Sequence, residues 1–268
     1  MFKVATLYKF VPLDDLVGLQ TQLQSICSAL TGTLLIASEG INGTIAGLPD
    51  LLDHAMGQIA AIPAFRDLWY QYSKAGNKPF RRLKVRIKKE IITMHKPEVG
   101  SMPLRGQHVL AADWNNTLDE AAVVVDVRND YEYRLGSFEG ALNPKTTYFS
   151  QFPAFVDNHL TLYKDQPIAM FCTGGIRCEK ASAYMLAAGF KKVYQLSGGI
   201  LQYLAHTRQA LSRWQGECFV FDERISLGHG LKKGNSLLCY GCRMPLTTED
   251  LDENYEPSIR CKFCLKNK

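Results

Sequence analysis

Three short apolar runs in the middle of the chain constrain its folding more than any other feature: Val123-Val124-Val125-Asp126-Val127, Pro167-Ile168-Ala169-Met170-Phe171 and Val193-Tyr194-Gln195-Leu196. Each run is nearly continuous rather than alternating, so a strand built from it must be covered on both faces. Helix-like stretches separate the runs, and a parallel sheet held between helices meets both conditions. We expect this α/β domain over residues 107–215. Such sheets bind ligands at the carboxyl ends of their strands. Cys172 stands at such an end, directly after Phe171.

The chain continues Cys172-Thr173-Gly174-Gly175-Ile176-Arg177-Cys178 into a helix-like stretch from Ala181 to Ala188. A strand end, a tight glycine turn and a helix start aim several backbone N–H groups at one point. Thr173, Gly174, Gly175 and Ile176 would form that anion cradle. The helix N-terminus and the Arg177 cation both lower the pKa expected for the Cys172 thiol, leaving thiolate near neutrality. A thiolate attacks sulfane sulfur to give a persulfide, whose outer sulfur would lie in the same cradle. A purely structural cysteine would need neither the two glycines nor the arginine. Cys178, six residues further on, is a candidate second thiol or a packing residue. Phosphatases also use a cysteine-loop-arginine design, but only four residues separate Cys172 from Arg177, one fewer than theirs. The tighter loop suits sulfur better than a phosphoryl group.

Residues 1–97 read as a separate ferredoxin-like domain. An alternating strand from Phe2 to Tyr8 precedes a helix from Asp14 to Leu30, with Leu16, Leu19, Leu23, Ile26 and Leu30 at helical spacing. Strands Thr33 to Ala37 and Gly43 to Ala46 flank the turn-rich Ser38-Glu39-Gly40-Ile41-Asn42. A helix from Pro49 to Ile62 and a strand from Leu83 to Thr93 complete a β-α-β-β-α-β order. A linker from His95 to about Gly106 follows, marked by Pro97, Gly100 and Pro103. Between Lys78 and Lys96 nearly every charge is positive. Lys84, Arg86 and Lys88 alternate with Leu83, Val85 and Ile87, so with Arg81 and Arg82 they offer a cationic face able to track a phosphate backbone.

Residues 216–268 are short on apolar side chains but contain Cys239-Tyr240-Gly241-Cys242 and Cys261-Lys262-Phe263-Cys264, with 18 residues between the pairs. Four thiolates at Cys239, Cys242, Cys261 and Cys264 can close a tetrahedral structural zinc site, replacing the missing core. Cys218 stands outside both pairs and receives no role. Eight cysteines used in this way fit a reducing compartment better than a disulfide framework. No apolar stretch approaches the roughly 20 residues of a membrane span, so no membrane partner and a cytoplasmic location are expected. The net charge of +5 permits an anionic partner without requiring one.

The Cys172 loop resembles a rhodanese active site, and Asp126-Val127-Arg128-Asn129-Asp130-Tyr131-Glu132 with Gly136-Ser137-Phe138-Glu139-Gly140-Ala141 resembles the motif preceding it. Together with Ser38 to Thr44, Leu83 to Thr93 and Gly216-Glu217-Cys218-Phe219-Val220-Phe221-Asp222, nearly the whole chain resembles the tRNA uridine hydroxylase family. That resemblance implies an oxidoreductase that converts the wobble uridine of tRNA to 5-hydroxyuridine with molecular oxygen as cosubstrate. It also implies an acylphosphatase-like N-terminal fold, Cys172 as the persulfide-forming cysteine, and Asp126 and Arg128 supporting its loop. The residues alone imply sulfur chemistry on a tRNA-sized anion; tRNA itself as partner, with a sulfur or electron donor beside it, is what the resemblance implies. The residues contain no flavin or haem motif and no facial metal triad, so hydroxylation rests on the resemblance. A general rhodanese sulfurtransferase acting without RNA is the alternative, and an RNA-binding adaptor independent of Cys172 is a third reading.

Overall fold

The structure, a computed structural model, describes residues 1–251, 255–257 and 259–266. Residues 252–254, 258, 267 and 268, part of the cysteine-rich segment expected from residue 216, lie outside the described residues. The first domain runs β1 (Phe2–Phe10), α1 (Leu16–Ile26), β2 (Thr31–Ala37), β3 (Gly40–Gly47), α2 (Pro49–Ala61), β4 (Trp69–Ala75) and β5 (Leu83–Ile87). Its sheet has the order β4-β1-β3-β2-β5, with β5 parallel to β2 and all other pairs antiparallel. Leu23 of α1 and Leu52 and Ile59 of α2 bury against Leu7, Leu34, Ile36 and Ile45 of the sheet. The Asp15 carboxylate accepts from the Gly18 N–H and caps α1, which ends at Ile26 rather than Leu30.

One strand assignment needs correction. The strand closing the ferredoxin-like pattern beside β1 is Trp69–Ala75, whereas Leu83–Ile87 is a fifth strand on the opposite edge. Nor does β5 run on to Thr93. After a last backbone bond from the Lys88 N–H to the Ile36 carbonyl, side chains take over: the Ile91 N–H donates to Glu39 and its carbonyl accepts from Asn42, while Glu90 accepts from the N–H groups of Met94 and His95. These groups are then unavailable to a neighbouring strand.

The linker is folded rather than loose. It holds α3 (Pro97–Gly100), and Met94 and Val99 are buried in the core of the second domain. That domain runs β6 (Gln107–Val109), α4 (Trp114–Glu120), β7 (Val123–Asp126), α5 (Asp130–Tyr133), β8 (Gly136–Phe138), α6 (Phe152–His159), β9 (Pro167–Phe171), α7 (Ile176–Ala187), β10 (Lys192–Leu196) and α8 (Gly199–His206). Strands β6-β10-β9-β7 form a wholly parallel sheet. Along β9, Ile168 and Met170 meet Phe152, Val156 and Met185 on one face. Ala169 and Phe171 meet Trp114, Ile200 and Leu204 on the other, which is why the run is apolar without alternation.

After α8 the chain forms β11 (Trp214–Gly216) against β8 and a hairpin of β12 (Cys218–Phe219) and β13 (Ser226–Leu227). Cys218, Val220 and Leu227 bury in the second domain's core. Arg224 is paired with Asp222 and also donates to Ser73 and to the Lys74 carbonyl of β4, so the hairpin ties the two domains together. A final knuckle contains β14 (Leu237–Leu238), β15 (Pro245–Leu246) and α9 (Lys262–Lys266), with Cys239, Leu246 and Cys261 at its centre.

The strongest tie between the domains is Lys180 of α7, which has no exposed surface. Its Nζ lies 2.9 Å from Glu39 Oε2 and 2.6 Å from Glu90 Oε2, and donates to the Ile92 carbonyl at 3.0 Å. Burial raises the Glu90 pKa, but Lys180 and the Met94 and His95 N–H groups lower it by more, so the carboxylate is held below its ordinary range. Lys180→Met would leave two carboxylates unneutralised and should cost about 3–5 kcal/mol in denaturant unfolding. A lowered carboxylate contributes stability above its unfolded pKa and loses it as pH falls. The gap between wild type and variant should therefore be largest at neutral pH and narrow under acid.

Candidate active site

Cys172 follows β9 directly and is fully buried. The loop is gripped from α8, whose Ile200 N–H donates to the Cys172 carbonyl and whose Leu201 N–H donates to that of Thr173. Gly199 lies so close that a Cβ there would meet the Cys172 carbonyl oxygen at 2.4 Å, at a φ of +65°. Only glycine permits this contact. Gly175, at a φ of +99°, precedes α7 and donates its N–H to Cys172 Sγ at 3.1 Å. Burial raises the Cys172 pKa. The Cys178 hydrogen bond, the Arg177 charge and the backbone N–H groups of Cys178 and Arg177 lower it by more, to about 6. Cys178 is buried beside it; burial and its hydrogen bond to Cys172 hold its own thiol well above the usual range.

Arg177 does not point free into a pocket. Its guanidinium makes a two-pronged bond to Glu132, Nη1 to Oε2 at 2.6 Å and Nη2 to Oε1 at 2.8 Å, and Nη2 reaches Thr173 Oγ1 at 3.2 Å. Glu132 is fully buried, with its carboxyl held low: burial opposes ionisation, but Arg177 outweighs it. The pair therefore ties α5 to the cysteine loop and to the first turn of α7. Asp126 and Arg128 form a second buried pair, 2.6 Å apart, which also takes in Ser137 and the Gly136 carbonyl. They fix the β7–β8 corner, and β7 reaches the loop through the Val127 N–H bonded to the Phe171 carbonyl.

The first domain roofs the loop. Tyr8 of β1 lies over Gly175, where a Cβ would meet its hydroxyl at 2.8 Å, and that hydroxyl donates to Glu179 at 3.3 Å. Burial and the Glu179 charge raise the Tyr8 pKa, so it stays protonated. Trp69 of β4 packs on Tyr8 with ring centroids 5.1 Å apart. Glu179 also faces Arg105 Nε and His108 Nε2, each at 3.4 Å.

Residues 2–91 match the family described as UPF0176 acylphosphatase like domain, and residues 110–206 match the rhodanese-like domain. The chain is 46% identical over 271 residues to the tRNA uridine(34) hydroxylase of Brucella anthropi, covering 100% of this chain and 89% of that one. The chain belongs to the tRNA uridine(34) hydroxylase family. The Brucella ovis member matches with the same identity and coverage. Among solved structures, a rhodanese-like domain from Anabaena sp. covers 42% of this chain and 80% of its own at a TM-score of 0.34 and 23% identity.

Two further groups expected from the sequence lie away from this family member's cysteine loop. The sulfurs of Cys239, Cys242, Cys261 and Cys264 all lie within 4.8 Å of one another, with Cys239–Cys264 at 3.6 Å and Cys242–Cys261 at 3.7 Å. Four sulfurs around one zinc ion at the usual bond length would be about 3.8 Å apart, so the cluster fits a tetrahedral metal. Arg81, Arg82 and Lys84 line one cavity, whereas Arg86 and Lys88 lie exposed beyond it.

Tyr8, Trp69, Glu132, Glu179 and Lys180 belong to the site only in three dimensions. Glu132 stands inside a motif used for the resemblance, so its two-residue interval from Asp130 was visible but carried no functional sign. For Tyr8 and Trp69 no local signal exists, because they reach the loop only through domain docking. The difference in thiolate absorbance between wild type and Cys172→Ser should titrate at a pH of about 6. In a Cys178→Ala background that midpoint should rise, because a donor to the thiolate is lost; an unchanged midpoint would refute the tuning role.

Proposed function

We propose that this chain hydroxylates C5 of the wobble uridine of tRNA, with Cys172 as its reactive sulfur. Kinship with tRNA uridine(34) hydroxylases along the entire chain carries the reading. The lowered Cys172 pKa, the N–H groups of Gly175, Arg177 and Cys178 at its sulfur, and the cations on β5 support it. Working units of residues 1–97, 107–215 and 216–268 divide the labour: the first supplies Arg81, Arg82, Lys84, Arg86 and Lys88 for RNA, the second the sulfur, the third a knuckle for zinc. Asp126, Arg128 and Arg177 act by holding the loop. Cys178 serves as the second thiol, donating to the thiolate.

The thiolate attacks the outer sulfur of a persulfide donor, leaving a persulfide on Cys172 and a donor thiolate. Hydroxylation balances when one atom of dioxygen becomes the C5 hydroxyl and the other leaves as water, with two electrons and two protons supplied by a reduced donor. Cys172 has no exposed surface, so an extruded base reaches it only when the Tyr8 and Trp69 roof is displaced. Among the described residues no helix is long and apolar enough to cross a membrane. A cytoplasmic site of action accords with a tRNA substrate.

Mass spectrometry of tRNA nucleosides from cells lacking the gene tests the assignment. Wild type should restore 5-hydroxyuridine and Cys172→Ser should not. Unchanged nucleosides in both strains would leave a general sulfurtransferase as the better account. Elemental analysis should find about one zinc per chain, with chelation unfolding the knuckle. Lys84→Ala and Arg86→Ala should each lower the salt slope of tRNA binding by about 1.

A further inference from the structure

Arg81, Arg82 and Lys84 share a cavity of about 730 Å³ with residues from other parts of the chain, among them Tyr131, Phe221, Tyr240 and Arg243. Tyr131 of α5 forms one wall, Phe221 comes from the β12–β13 hairpin, and Tyr240 and Arg243 come from the cysteine knuckle. Phe221 is 65% exposed and Tyr240 55%, so two large rings stand in water in the wall of one basic cavity.

These rings are held in place before any ligand arrives. Phe219 lies edge-on to Tyr131 at 5.4 Å and to Phe221 at 5.0 Å, bracing both. Tyr240 sits in a CxxC turn packed so closely on the segment before Cys261 that a Cβ on Gly241 would meet the Ile259 carbonyl at 2.3 Å. Arg243 adopts a left-handed φ of 63°, and its N–H is bonded to the Cys239 carbonyl at 2.8 Å. The acidic residues of the cavity do not cancel its charge. Asp222 is consumed by Arg224, and Glu223 meets Arg81 only at 3.9 Å, with both side chains exposed and screened.

An acidic peptide would use the cations but not the rings. A duplex keeps its bases stacked away from them. A single strand offers phosphates and open base faces together. The geometry points to a stacking site for one unpaired nucleobase of the tRNA loop, on Phe221 and Tyr240, with Arg81, Arg82, Lys84 and Arg243 on its phosphates. This inference rests on the tRNA reading and adds a base-binding site to it. Tyr131 in the cavity wall adjoins Glu132, whose carboxylate holds Arg177 and Thr173. The stacked base therefore flanks the reacting uridine rather than replacing it. A second cavity sharing Pro79 and Glu223 continues the path past Lys74, Lys78, Lys232 and Lys233.

The test uses the full chain and an anticodon stem-loop RNA carrying a fluorescent adenine analogue beside the wobble position. Phe221→Ala and Tyr240→Ala touch exposed rings and should leave circular dichroism and metal content unchanged. Each should weaken RNA binding by about 5- to 150-fold. Neither should alter the salt slope, and each should reduce the quenching of the analogue seen with wild type. Arg243→Ala should instead lower the salt slope by about 1. Folded alanine variants that bind and quench like wild type would overturn the inference, as would a polyglutamate peptide that competes as well as the RNA. Cellular 5-hydroxyuridine is measured in parallel. Its restoration by wild type while the variants bind normally sinks the stacking site alone. Its absence while quenching persists sinks the hydroxylase reading and leaves the stacking site standing.

Discussion

The ammonium of Lys180, buried against Glu39 and Glu90, holds the two domains in one arrangement. Two carboxylates and a cation out of water are costly unless all three are matched, so few alternative dockings satisfy them. Successive residues of α7 use this arrangement in different directions. Arg177 reaches Glu132, Cys178 reaches Cys172, Glu179 reaches Tyr8, and Lys180 reaches the first domain. The first turn of α7 is thus buried all round although it is largely polar. Each side chain is matched by a specific partner, which fixes the helix in rotation as well as position.

The same economy of charge makes the thiolate tolerable. A sulfur anion in a dry interior needs N–H groups and a cation, and both are supplied by the loop that follows it. Glu132 takes up part of the Arg177 charge and sets its direction, so the guanidinium stabilises sulfur while serving as a brace. Asp126 and Arg128 repeat the device one layer away, where they hold the β7–β8 corner. Tyr8 remains a neutral donor above the loop, so the roof adds no second negative charge beside the thiolate.

The hairpin and knuckle after β11 add little core of their own. They are tied down through the Arg224 bonds to β4, the Glu217 carboxylate that gathers Ser226, Asn235 and Ser236, and the four clustered sulfurs. Rigid loops presented in this way bring aromatic rings to the edge of β5. The basic strand alone would be a charged edge with no shape. With the hairpin and knuckle beside it, it becomes a cavity.

Much of this was legible locally. The parallel sheet followed from apolar runs without alternation, the cysteine loop from its glycines and arginine, and the four-cysteine cluster from CxxC spacing. The missing fourth strand, Trp69–Ala75, was readable in principle from its aromatic residues, but the basic tract drew the strand to Leu83. Arg177-Cys178-Glu179-Lys180 looked like the wet start of a helix, and nothing nearby in the chain contradicts that. Sequence by itself determined most of the secondary structure, the fold class of each domain and the placing of Cys172 in a glycine loop at a strand end, because periodicity and turn chemistry act over a few residues. Tertiary structure alone decided that Lys180 is a buried tie, that Tyr8 and Trp69 roof the thiol, and that Phe221 and Tyr240 meet the cations. Burial and pairing depend on surfaces brought together from distant parts of the chain, and local pattern carries no record of which surfaces will meet.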